Sequence, residues 1–321
     1  MTSKLLTGLL AFGLSLALPL AAQTWPGKPI RLVVPFPPGG ATDILARALS
    51  QELGRNLGQS IVIDNKPGAG GTIGALAGAQ AAPDGYTLLL TTSSTHSIGP
   101  AINPKTPYNA EADFTPIAYV ASSPQVILVP MTSPAKNLRE FIDYAHKNPG
   151  RLNYASSGNG TISNLSTEIF KARSGTFLVH IPYRGTGLSI ADLISGKVDV
   201  LFDSVVSGMP HVRDGKLRAL AVTSPKRSAL VPELPAVAEL LPGFESVTWF
   251  GVYGPRGLPP EIVTRVNQAV NAALAEPELK ERFARLGAET TGGTPQQFAA
   301  VVKAESAKWK KVITERKITT D

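Results

Sequence analysis

Apolar residues recur along the chain in two alternating rhythms. Residues 30–35 (IRLVVP) form a short β-branched run of the kind that makes a buried strand. Pro37-Pro38-Gly39-Gly40 breaks it. Leu45, Leu49, Leu53 and Leu57 then repeat at the spacing of one helix face, with Gly58 as the stop. Ile61-Val62-Ile63 predicts a second strand. The glycine-rich stretch 66–74 (KPGAGGTIG) opens an alanine-rich helix that ends at Pro83-Asp84-Gly85. Residues 86–91 predict a third strand, running into Thr92-Ser93-Ser94-Thr95-His96.

The middle of the chain repeats the theme. Residues 126–129 predict a strand, and Leu138, Phe141, Ile142 and Ala145 mark a helix over 137–147. A strand at 152–155 runs into Ser156-Ser157-Gly158-Asn159-Gly160-Thr161 and another helix. His180-Ile181-Pro182-Tyr183 leads into Arg184-Gly185-Thr186-Gly187 and a helix ending at Gly196, with further strands at 198–202 and 217–222. From Pro259 onward three helical patterns follow, the last opening with Thr294-Pro295, a good cap and first-turn proline. Strands separated by helices predict an α/β fold with a mostly parallel sheet. A length of 321 residues suits two domains of roughly 150 residues each.

Composition narrows the function. With 43% hydrophobic and 17% charged residues the chain can build a sizeable core. The absence of cysteine excludes disulfide scaffolds, thiolate metal sites, cysteine nucleophiles and an acylated lipoprotein anchor. His96, His146, His180 and His211 show no paired metal-ligand spacing. Residues 1–22 carry Lys4, an apolar run and Pro19-Leu20-Ala21-Ala22, the layout of a secretory signal peptide; Thr7, Gly8, Gly13 and Ser15 dilute the run and argue against a membrane span. The rest of the chain is expected to be soluble and exported. The formal net charge of +7 invites a nucleic-acid reading, but the basic residues are scattered, apart from Lys308-Trp309-Lys310-Lys311 with Arg316-Lys317 on the last helix. A basic surface suits anionic small molecules.

Candidate chemistry lies in turns. Pro38-Gly39-Gly40-Ala41-Thr42, residues 156–161 and Gly185-Thr186-Gly187 each join a strand to a helix. Glycine lets backbone approach a ligand, helix starts offer N–H groups with partial positive charge, and Ser and Thr hydroxyls add hydrogen bonds. Such loops gather at the carboxyl ends of parallel strands, and their natural guest is a carboxylate. Each turn taken singly is also ordinary loop punctuation. Asp43 reads either as a helix cap or as a brace for its loop, Arg184 as a solvated charge or a ligand clamp. His96 reads as a loop histidine or a cleft residue, and Asp203 as a ligand contact or a turn acceptor. Enzyme signatures are absent: no phosphate-loop lysine, no complete dinucleotide fingerprint, no G-x-S-x-G elbow, and Ser133-Pro134-Ala135-Lys136 lacks its companion motifs.

Nearly end to end beyond the leader, the chain resembles the tripartite tricarboxylate transporter substrate-binding proteins, the TctC/Bug group. The matching stretches are WPxKPIRLVVPFPPGGATD from Trp25, NKPGAGGTIG from Asn65, PDGYTLL from Pro83, AINP from Ala101, YASSGNGT from Tyr154, IPYRGTG from Ile181 and GKLRALAVTS from Gly215. Leu188-Ser189 stands where members often place a proline after the YxGTG turn.

The resemblance implies an α/β, two-lobed type II periplasmic binding protein fold with mostly parallel sheets, flanking helices and a hinge. Residues 1–22 would be the signal peptide, 23–121 with 246–321 the first lobe, and 122–245 the second. Trp249, near a crossover, would report closure or be plain core. The implied function is capture of a small carboxylate (an aliphatic di- or tricarboxylate, an aromatic acid such as terephthalate, an amino acid or a nicotinate-like compound all fit) and delivery to the membrane permease subunits of a tripartite transporter. The implied grip is Gly39, Gly40, Ala41, Thr42 and Asp43 from one lobe, with Ser157, Asn159, Gly160, Thr161 and Asn164 from the other. Ser93, Ser94, Thr95, Arg184, Thr186 and Asp203 are candidates for the ligand's far end. A monomer without metal or organic cofactor is expected. The competing readings are a periplasmic enzyme acting on small acids and a ligand sensor for a membrane signalling partner.

Overall fold

The computed structural model describes residues 25–316 and 318–319, so the signal peptide expected at 1–22 lies outside the described residues. The first half opens with β1 (Ile30–Val34), α1 (Ala41–Leu57), β2 (Ile61–Asn65), α2 (Thr72–Ala79), β3 (Thr87–Thr92) and a short α3 (Gly99–Ile102). β1 pairs in parallel with β2 on one side and β3 on the other. The leucine stripe of α1 is buried against Ile30, Leu32 and Val34, and α1 ends at Gly58 in the left-handed conformation (φ 71°), which glycine adopts without penalty.

β4 (Phe114–Pro130) then crosses the molecule. Beyond it come α4 (Leu138–Lys147), β5 (Asn153–Ser156), α5 (Ile162–Ser174), β6 (Val179–Pro182), α6 (Thr186–Ile194), β7 (Val200–Ser204), α7 (Val205–Arg213) and β8 (Leu217–Val222). β5 runs parallel to β6 and β7. The chain returns along β9 (Val247–Pro255) and finishes with α8 (Pro260–Ala275), α9 (Pro277–Leu286), β10 (Glu289–Thr290) and α10 (Pro295–Arg316).

The sheet path is β2-β1-β3-β9-β4-β7-β5-β6, with β8 and β10 also paired to β4. Among the strand-to-strand ladders of the described residues, parallel pairing is confined to β1–β2–β3 and β5–β6–β7, and every ladder made by β4 or β9 is antiparallel. β4 is therefore the join. Residues 114–124 pair with β9 in the first half, and residues 125–130 pair with β7 and β8 in the second. Side chains tie the join together. Ser123 Oγ donates to Gly287 O at 2.8 Å, Thr223 Oγ1 accepts from Gln125 N–H at 2.8 Å, and Gln125 Nε2 donates to Thr248 Oγ1 at 2.9 Å.

Each half has its own core: Leu32, Leu49, Val266 and Phe283 in the first, Ile127, Phe141, Tyr154 and Phe202 in the second. α10 serves both. Phe298 packs with Trp249 and Tyr253, whereas Trp309 and Ile313 join the second-half core.

Only residues 126–129 of β4 follow a simple strand pattern. Its first part carries Pro116, Ser122, Ser123 and Pro124, and its ladder to β9 is interrupted twice, at Pro116/Ala118 and Tyr119/Ala121. Proline cannot donate to a ladder, so such a stretch does not alternate regularly. α7 also departs from the pattern, because Pro210 lies inside it.

Candidate functional site

The turn after β1 is braced by Asp43, the third residue of α1. Its carboxylate accepts from Gly39 N–H at 3.0 Å, from Arg47 Nε at 3.0 Å and from Asn65 Nδ2 at 3.0 Å. Asn65 Nδ2 also reaches Phe36 O at 3.0 Å, so strand, turn and helix are fixed as one unit. Burial alone would raise the Asp43 carboxyl, but the hydrogen bonds from Arg47, Gly39 and Asn65 and the Arg47 charge hold it below its ordinary value. The N-cap residue of α1 is Gly40, so no side chain caps its start.

The turn after β5 repeats this geometry with neutral groups. Asn164, the third residue of α5, accepts from Gly160 N–H at 3.2 Å and donates to Tyr154 Oη at 2.8 Å. Thr161 Oγ1 donates to Gly158 O at 2.7 Å and accepts from Asn164 N–H at 3.5 Å, capping the helix. The third turn places Gly185 (φ 135°) before α6, whose start has no side-chain cap.

The three turns meet. A β-carbon on Gly185 would lie 2.4 Å from Pro37 Cδ, one on Gly187 3.1 Å from Pro38 O, and one on Gly70 2.8 Å from Asn159 O. Ser94 Oγ accepts from Ile162 N–H at 3.1 Å, a hydrogen bond from one half to the other. Between them lies a cavity of about 50 Å³.

Of the residues anticipated from sequence, Gly40, Ala41, Thr42, Ser94, Ser157, Thr186 and Asp203 line this cavity. Gly39, Asp43, Gly160, Thr161 and Asn164 shape its turns. Asn159 is exposed on the second turn, where its carbonyl faces Gly70. Ser93 is buried outside the cavity wall, and Thr95 is occupied with Thr92 O and His96 Nδ1, at 3.1 and 3.0 Å. Arg184 is exposed and takes no part in the wall.

The wall also contains Phe36, Thr92, Gln125, Ser163, Ser204, Thr248 and Phe250, which the turn motifs did not indicate. Gln125 carried a signal, an uncharged polar residue at the head of the apolar run VILV. Thr248 and Phe250 come from β9, whose strand character was not evident.

No lysine or arginine lines the cavity; its one ionisable side chain is Asp203. Asp203 Oδ1 accepts from Ser204 N–H at 2.9 Å, while Oδ2 has no partner. Burial pushes this carboxyl up to about 6, an effect that the nearby Thr186 and Ser207 hydroxyls and the Ser204 N–H reduce. An anion in this cavity would meet uncapped helix starts in place of a basic side chain.

A larger cavity, of about 850 Å³, lies between α10 and residues 96–116, over His96, Tyr108 and Tyr253. It touches none of the three turns, and the glycine geometry places the candidate site at the smaller one. Among the described residues no group of three or more His, Asp or Glu is placed to hold a metal, and no helix is long and apolar enough to cross a membrane.

Comparison with known proteins bears on this arrangement. Residues 45–318 match the model of the tripartite tricarboxylate transporter family receptor. The structure of the periplasmic binding protein BugD superimposes with a TM-score of 0.89 at 34% identity, covering 92% of this chain and 100% of its own. An R. palustris protein with adipate gives 0.89 at 38% identity, covering 92% and 99%. MatC from Rhodopseudomonas palustris with bound malate gives 0.86 at 36% identity, covering 90% and 100%. BugD is a periplasmic binding protein, and the other two structures each hold a small dicarboxylate. The chain belongs to the tripartite tricarboxylate transporter receptor family and has its two-lobed, periplasmic-binding-protein fold.

Proposed function

We propose that this protein captures a small carboxylate in the periplasm, between its two lobes, and delivers it to the membrane subunits of a tripartite transporter. The observation that carries the reading is the pair of uncapped helix starts, α1 and α6, facing one cavity without a basic side chain. Backbone N–H groups and helix dipoles suit a carboxylate, and a ligand held by N–H groups from both lobes binds the closed form best. The solved relatives with adipate and with malate support this class of guest. A cavity of about 50 Å³, against roughly 300–1,000 Å³ for drug-sized ligands, favours a short aliphatic acid over an aromatic one.

In this reading residues 23–121 with 246–321 form one lobe and residues 122–245 the other. The change of partner along β4 serves as the hinge, and the protein works as a monomer. Residues 1–22 direct export. Binding is the whole of its chemistry: the ligand shifts the population toward closure and leaves unchanged when the lobes part.

A thermal-shift screen of the chain lacking residues 1–22 against aliphatic, aromatic and amino acids tests this. A ligand at 100 times its Kd adds about 2.7 kcal/mol of stability, a rise of several degrees in Tm. A clear shift with one short carboxylate, with no product formed, is the expected result. No shift with any acid, after refolding to strip carried-over ligand, would overturn the carboxylate reading.

A further inference from the structure

The cavity wall carries one feature that a carboxylate grip does not use. Asp203 and Gln125 are both 2% exposed and both line the cavity. Asp203 Oδ2 and Gln125 Oε1 each lack a hydrogen-bond partner, because Asp203 commits its other oxygen to Ser204 N–H and Gln125 commits Nε2 to Thr248 Oγ1. Leaving a buried polar atom without a partner destabilises the fold, and such atoms in a binding cavity are places where a ligand completes the hydrogen bonding. Both are acceptors. Neither offers a hydrogen to a carboxylate oxygen placed against it.

We propose that Asp203 Oδ2, supported by Gln125 Oε1, selects ligands that carry a hydrogen-bond donor, a hydroxyl or an ammonium, on the carbon chain next to the carboxylate held by the helix starts. The guest is then a short hydroxy- or amino-carboxylate, not a plain dicarboxylate of the same length. This rests on the carboxylate reading above and deepens it.

The logic is the asymmetry of buried polar groups. A ligand with the donor satisfies the acceptor; one without it closes the cavity over an unpartnered carboxylate, and sites built this way reject the deficient analogue strongly. Hydroxyl and ammonium share this chemistry but differ in charge, so an ionised Asp203 favours the ammonium more.

The test uses isothermal titration of the ligand-stripped protein at pH 7.5 with three matched four-carbon diacids: succinate, malate and aspartate. Malate or aspartate is expected to bind at least about tenfold more tightly than succinate, and whichever is tighter identifies the donor. Asp203→Asn keeps the side chain's shape but turns one oxygen into an N–H donor. It is expected to lower malate and aspartate affinity by about tenfold or more while leaving succinate affinity equal or better. Succinate binding as tightly as both others in the wild type would overturn the proposal, whatever the variant does. So would an unchanged preference in a folded Asp203→Asn protein. Those results leave the carboxylate reading standing; failure of every carboxylate, succinate included, removes both.

Discussion

The turns after β1 and β5 occupy equivalent places in the two halves and use one device, the third residue of the helix reaching back to an N–H four residues earlier. Asp43 does this for Gly39 and Asn164 for Gly160, at 3.0 and 3.2 Å. The difference lies in what surrounds the brace. Asp43 is charged and paired with Arg47 and Asn65, and its helix α1 has no side-chain cap. Asn164 is neutral, bonded to Tyr154, and its helix is capped by Thr161 while Ile162 N–H goes to Ser94. One turn therefore keeps its helix-start N–H groups for a guest, while the other spends two of its own on the protein. The charge of Asp43 is turned away from the cavity by its three donors, which lets a carboxylate in the first turn coexist with an anionic ligand nearby.

Replacing the two braces should separate their roles. Asp43→Ala removes a buried carboxylate from three donors and is expected to cost about 3 kcal/mol, a value discounted because Arg47 is half exposed. Asn164→Ala is expected to cost about 1–2 kcal/mol. Asp43→Asn, which gives the first turn the second turn's chemistry, should fall below Asp43→Ala because an amide oxygen still serves Gly39. Urea unfolding at pH 7 measures all three. The wild-type advantage over Asp43→Asn should fade on acidification through the ordinary value of 3.8, since a carboxyl held low when folded contributes above that pH and loses its contribution as it is protonated. Equal costs for Asp43→Ala and Asn164→Ala would mean that the ion pair adds nothing to the brace.

Asp203 is the counterpart of Asp43, a second buried aspartate, but with one hydrogen bond, from Ser204 N–H, where Asp43 has three donors. Its carboxyl is raised from 3.8 to about 6, so between those values the folded protein holds a proton that the unfolded chain has released. Stability from this group therefore falls as pH rises from about 4 to 6, and the full penalty, on the order of 3 kcal/mol, applies above pH 6. His96 acts in the opposite sense. Burial lowers it from 6.5 to about 3, so its contribution is lost as pH falls below 6.5. His180 and His211, lowered by burial, and Asp199, raised by it, act in the same window, and subtraction isolates Asp203. Asp203→Asn should be nearly neutral at pH 4 and stabilising by a few kcal/mol at pH 7 in the ligand-free protein. A stability difference independent of pH would show that Asp203 is not the bare carboxylate its surroundings imply.

Much of this was legible in the chain because local chemistry enforces it. Leu45, Leu49, Leu53 and Leu57 state the buried face of α1, and the three glycine turns point to where backbone comes close. The pairing of those turns across the cavity was not legible, since Gly185 against Pro37 joins positions about 150 residues apart through a sheet order that no single segment encodes. β4 hid its length because Pro116 and Pro124 interrupt its alternation, and with it Gln125 escaped notice. Arg184 draws attention as a cation in a glycine turn, yet it lies outside the cavity wall, whose one ionisable side chain is Asp203.

The mildest intervention tests whether the turns must approach each other at all. Gly187 is the second residue of α6 and, unlike Gly185, its φ is not positive, so alanine fits its backbone. Alanine there should leave the ligand-free protein as stable as the wild type or up to about 0.5 kcal/mol more so, through helix propensity. Its β-carbon would, however, lie 3.1 Å from Pro38 O and 3.4 Å from Gly40 N, against the turn that leads into α1. Those atoms must give by a few tenths of an ångström whenever the halves are together. Gly187→Ala should therefore weaken ligand binding by about three- to tenfold, mostly through faster dissociation, with unfolding in urea unchanged. Unaltered affinity would mean that the guest is held without close contact between the first and third turns, and the comparison would then rest on the turns after β1 and β5 alone. A loss of affinity with stability preserved would place the approach of α6 to α1 among the interactions that ligand binding uses.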